Sequence, residues 1–163
     1  LLKEHRVQGE LQLTKRIVIT DWEIEVDYSK TKEYYSNHKI DDDCTCTSCM
    51  NYRFNCKQFS NELLEFFEGL GIDPSKEGEF MDFGVSKEGS VIYMGFYHLV
   101  GRILDGPDYV DDKWEELNLF KINEFEFGFS SLELRCVPDD FPDPVIQLEF
   151  KAILPWLLEV PRE

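Results

Sequence analysis

Three of the five cysteines of this chain fall within six residues, in the run Asp41-Asp42-Asp43-Cys44-Thr45-Cys46-Thr47-Ser48-Cys49-Met50-Asn51-Tyr52. Cysteines spaced C-x-C-x2-C can hold a soft metal, exchange disulfides, or fill the underside of a loop. The metal reading begins with Cys46 and Cys49, whose two-residue gap lets both thiolates reach one tetrahedral zinc at about 2.3 Å. Cys44 supplies a third ligand. His38, six residues before Cys44, has the reach to be the fourth, with an aspartate at 41–43 next in order. Cys56 does not fit: on a helix shared with Cys49, seven residues put it about 10.5 Å away along the axis. It is expected as a small buried apolar side chain.

The redox reading uses Cys46 and Cys49 at a helix N-terminus, where the dipole lowers a thiol pKa. Three consecutive aspartates just upstream oppose a thiolate, and no βαβ context of a thioredoxin-like site surrounds the pair. A bound divalent cation would reconcile thiolates with carboxylates, which favours metal over redox. The plainest alternative keeps all three cysteines as buried loop side chains.

His98, in Gly95-Phe96-Tyr97-His98-Leu99-Val100-Gly101, is the one histidine in an apolar context. It is a candidate ligand or base lining a pocket, or else a core histidine with its hydrogen bonds satisfied. No nucleophile elbow, phosphate loop, dinucleotide fingerprint or zinc-protease helix occurs. Residues 105–112 are rich in carboxylates without calcium-loop spacing.

These residues must be held by one α+β domain spanning 1–163, a length that can bury a core without disulfides. Alternation over 18–28 puts Val18, Thr20, Trp22, Ile24, Val26 and Tyr28 on one face of a half-buried strand, with 7–13 as its antiparallel partner. A helix over about 47–59 carries the cysteines at its N-terminal end. A second follows Ser60, with Leu63, Leu64, Phe66, Phe67 and Leu70 as its apolar stripe and Gly71 as its stop. Strands are expected at 79–85, 90–104, 125–136 and 145–153. The second of these is apolar on both faces and so central, and Gly95 and Gly101 mark a bulge or a close backbone approach. Most links are too short for parallel crossovers, so the sheet is largely antiparallel, with the helices after the first strands.

Thirty-three acidic against seventeen basic residues give a formal charge of −16, which repels a nucleic-acid backbone or an anionic membrane. No stretch approaches the ~20 apolar residues of a membrane span, and the first residues lack a signal-peptide core. The chain begins at Leu1, which leaves room for a trimmed leader. Five cysteines, three of them clustered, suit a reducing compartment, so a cytoplasmic protein is expected.

The cysteine run through Asn51-Tyr52, the stretch Leu63-Leu64-Glu65-Phe66-Phe67 leading to Leu70-Gly71-Ile72-Asp73-Pro74, the segment around His98, and Pro144-Val145-Ile146-Gln147-Leu148-Glu149-Phe150 before Leu154-Pro155-Trp156 together resemble an uncharacterised bacterial protein family. The resemblance implies a bacterial cytoplasmic origin and groups Cys44, Cys46 and Cys49. It implies no activity.

Two functional expectations follow. One is a non-enzymatic, immunity-like interaction domain whose acidic face, with Asp108, Asp111 and Asp112 as a candidate patch, occupies a basic protein partner, the plainer role of that charge being solubility. The other is a zinc-binding protein, or a metal-dependent enzyme, built on Cys44, Cys46 and Cys49 with His98 nearby.

Overall fold

The alternation that reads as one strand over 18–28 belongs to a hairpin. In the computed structural model, which describes residues 2–4, 14–76, 78–108 and 119–163, strands β2 (Thr14–Ile19) and β3 (Trp22–Asp27) pair antiparallel, with Ile17 opposite Ile24 and Ile19 opposite Trp22. The inward residues are odd-numbered on β2 and even-numbered on β3. Ile17, Trp22, Ile24 and Val26 are therefore buried while Val18 is 56% exposed. Strand β1 (Leu2–Glu4) pairs with β2, and the strand expected at 7–13 lies outside the described residues.

Tyr28 leaves the sheet and opens helix α1 (Tyr28–Asn37), whose first turn is capped by Asp27 accepting the N–H of Lys30 at 3.0 Å. Helix α2 (Thr47–Cys56) has Cys46 as its N-cap. Helix α3 (Asn61–Leu70) is capped by Ser60 and stopped by Gly71 at φ 80°, a backbone conformation that glycine adopts without steric cost. The remaining strands are β4 (Glu79–Val85), β5 (Val91–Asp105), β6 (Phe120–Ile122), β7 (Phe125–Ser130) and β8 (Val145–Leu154).

Among the described residues these strands form one sheet in the order β1-β2-β3-β5-β8-β7-β6, with β4 also paired to β5, and every pairing is antiparallel. The fold is α+β, with the helices following the first strands. Strand β5 is central: β8 runs along one side of it, while β4 and β3 share the other. A Cβ on Gly95 would collide with the Glu79 carbonyl of β4, and one on Gly101 with the Glu25 carbonyl of β3. Both positions therefore exclude a side chain so that two strands can close on one.

Helices α2 and α3 pack on one face of this sheet. Tyr52 of α2 and Phe67 of α3 pack on Tyr97, and Tyr52 also stacks on Phe150 at 5.6 Å. The strand expected over 125–136 ends at Ser130, because the chain turns away there. Asp108 accepts the N–H groups of Ser131 (2.7 Å) and Leu132 (3.2 Å) and the Ser131 hydroxyl. Leu132 and Cys136 are consequently exposed, Leu132 by 75%. The chain then crosses the opposite sheet face, where Gln147 donates to Glu133 O at 3.1 Å and accepts the Arg135 N–H. No helix among the described residues is long and apolar enough to cross a membrane.

Candidate metal centre

The cysteine loop enters α2 with an extended backbone at Cys46 and a helical one from Thr47. That change of direction turns Cys46 back over the first helical turn, where its sulfur accepts the Cys49 N–H at 3.4 Å. The cap satisfies one of the orphan donors that every helix start exposes. Cys44 folds onto the same spot, so that one Sγ from each of Cys44, Cys46 and Cys49 lies within 4.8 Å of the other two. Cys44 and Cys46 are exposed and Cys49 is buried.

The three thiols are chemically unlike. A hydrogen bond from the Cys46 backbone, then bonds from the Cys46 and Cys49 thiols, hold the Cys44 thiol below its ordinary range, and the nearby Arg53 charge acts in the same direction. Burial pushes the Cys49 thiol up, and its bonds to the other two sulfurs push it further. Of the three, Cys44 is therefore the thiol whose ionisation its neighbours favour and Cys49 the one whose ionisation they oppose.

Two clamps fix the loop. On one side His38 meets Asp43 at 2.7 Å, Asp43 meets Arg53 at 3.9 Å, and Arg53 donates to the Cys44 carbonyl at 2.5 Å. His38, expected as the fourth ligand, is engaged with Asp43 and stacked against Tyr34, outside the group of three sulfurs. Asp43 is likewise committed to His38 and Arg53. Of the aspartates expected to oppose a thiolate, Asp43 therefore has the Arg53 guanidinium beside it. On the other side Ser48 donates to Asp82 at 2.8 Å, and Tyr93 donates to the Ser48 carbonyl at 2.8 Å.

Neither Asp82 nor Tyr93 was legible as a neighbour of the cysteines, because both reach the loop from strands more than thirty residues downstream. Cys56 lies two turns along α2, buried, with its thiol 3.6 Å from Pro74 O, as the helix spacing requires. His98 is not part of this centre. It follows Tyr93 by five residues on β5, which places it about 17 Å along the strand and on the opposite face. Wholly buried, it meets Arg135 O at 2.9 Å and Gln147 Oε1 at 3.2 Å through Nε2. Both partners are acceptors, so Nε2 carries the proton, and the residue is a core histidine.

Of the expected acidic patch, Asp108 is spent on the backbone of Ser131 and Leu132, while Asp111 and Asp112 lie outside the described residues. No protein family, curated protein or solved structure matches the chain.

Three thiols in this arrangement can hold a soft cation. Around zinc the sulfurs sit about 3.8 Å apart, as Zn–S distances of about 2.3 Å and tetrahedral angles require. The three sulfurs, within 4.8 Å of one another, are about an ångström from that spacing.

Proposed function

We propose that the chain is a metal-binding protein that takes one zinc ion on Cys44, Cys46 and Cys49. The observation that carries the reading is the convergence of the three sulfurs at a capped helix start, two of them open to entry from solvent. The donor set is soft, which favours zinc or another thiophilic ion over calcium or magnesium. Zinc would displace thiol protons on binding, and the Arg53 charge and the Cys46 N–H beside Cys44 favour that loss there. Binding is preferred to catalysis because the carboxylates described beside the loop, Asp43 and Asp82, each face a guanidinium group, Arg53 and Arg162.

The test is the metal content of protein purified without chelator. About one zinc per chain is expected, lost in Cys46→Ser and kept in Cys56→Ser. Metal-free protein whose thermal stability ignores both chelator and added zinc would overturn the reading.

A further inference from the structure

Helix α2 does more than present thiols. Its buried Asn51 uses its whole amide on two other parts of the chain: Nδ2 donates to Tyr93 Oη at 3.0 Å and to Pro155 O at 3.2 Å, and Oδ1 accepts the Leu157 N–H at 2.7 Å. Asn55, one turn on, donates to the same Pro155 carbonyl at 3.0 Å. Farther along, Arg162 grips Asp82 through two parallel bonds, Nε to Oδ2 at 2.7 Å and Nη2 to Oδ1 at 2.6 Å. Asp82 is the residue that holds Ser48, the neighbour of Cys49. Residues 155–163 thus fasten α2 at two places, its middle turns through the Pro155 and Leu157 backbone on Asn51 and Asn55, and its first turn through Arg162, Asp82 and Ser48.

We propose that this segment positions the thiol centre, with Arg162 acting through Asp82 and Ser48, and that metal binding and docking of 155–163 reinforce each other. The proposal rests on the metal reading above. Cys46 and Cys49 keep their spacing only while the first turn of α2 is ordered, since one caps the other across that turn. Ser48 and Asn51 lie on the same stretch of helix and are what the segment fastens. Releasing the segment frees that turn and costs affinity at the sulfurs. Groups behind metal ligands change affinity by about 10–100-fold when removed. The coupling is reciprocal, so metal on the sulfurs must favour the docked segment by the same factor.

Cobalt(II) is the probe, because thiolate-to-cobalt charge transfer reports sulfur ligation directly. Against the wild-type chain, Arg162→Ala and Asp82→Asn are expected to weaken cobalt binding about 10–100-fold while leaving the charge-transfer band in place, and Arg162→Lys is expected to restore part of the loss. In wild-type protein, which needs no substitution to fold, hydrogen exchange at the Leu157 amide is expected to slow when cobalt is added. A wild-type chain that gives no thiolate band removes the metal reading, and this inference with it. A wild-type chain that binds cobalt, with Arg162→Ala within twofold of it and Leu157 exchange unaltered by the metal, overturns the positioning role alone.

Discussion

Tyr52 and Tyr97 bring their phenolic oxygens to 2.5 Å of each other in a place where neither ring touches solvent. Tyr97 also donates to Pro74 O at 2.7 Å, so its only proton is used there and Tyr52 must be the donor of the shared bond. Burial raises both phenols well above their ordinary range, which keeps both protons in place. The pair ties the helix that carries the thiols to the central strand.

The direction of that bond makes the two phenols unequal. Tyr97→Phe strands the Tyr52 hydroxyl as a buried donor and removes a donor from Pro74 O, and should cost about 1–3 kcal/mol. Tyr52→Phe leaves Tyr97 donating to Pro74 and should cost about 1 kcal/mol. Urea unfolding of the two variants checks the order. A larger loss for Tyr52→Phe would reverse the proton assignment.

Trp22 is 1% exposed, packs edge-on to Phe120 and Phe129, and donates its indole N–H to Pro107 O at 2.5 Å. Trp22→Ala should lose about 3–5 kcal/mol through lost burial and the cavity left behind. A change below about 1 kcal/mol in denaturant unfolding would mean that the β3 face is not core.

Trp22 also shows how far the sequence carried the fold. Its inward direction could be read from alternation, but the hairpin before it could not. Ile17, Val18 and Ile19 are all apolar and hide the change of parity, and the turn is made by Thr20 at φ 49° without the usual Asn-Gly signal. Strand β6 was missed although its turn does carry a signal, Asn123 at φ 51°. The helix caps at Ser60 and Gly71 were legible because they are local chemistry. At the thiol centre the three sulfurs were legible from spacing alone. The groups that hold them, Asp82, Tyr93 and Arg162, were not, since only the folded sheet brings them to the loop.

The cysteines should react in an order set by exposure and charge. Cys44 is exposed and its thiol lowered, so it holds more thiolate than an ordinary cysteine at a pH below the usual thiol range. Cys56 is buried and its thiol is raised by that burial. Alkylation of native protein at pH 7, followed by peptide mass spectrometry, should label Cys44 early and Cys56 only after denaturant is added. Early labelling of Cys56 would contradict its packing against Pro74.

The pair Asp82 and Arg162 should write its own pH dependence into stability. The Arg162 guanidinium, against a smaller opposing effect of burial and with help from the Gly84 N–H and the Ser48 hydroxyl, holds the Asp82 carboxyl down at about 2. An unfolded aspartate titrates near 3.9. The folded chain therefore favours the ionised form, and the stabilisation is complete above about pH 4 and is lost as pH falls toward about 2. Urea melts of wild type and Asp82→Asn, run with chelator so that metal release does not contribute, should differ by a constant amount from pH 7 to about pH 5. The difference should then shrink through about pH 4 and 3, as Asp82 takes up its proton in the unfolded chain while the folded carboxylate holds out to about 2. A difference that widened as the pH fell would require the opposite shift, and would remove Asp82 as the anionic partner through which Arg162 reaches the thiol loop.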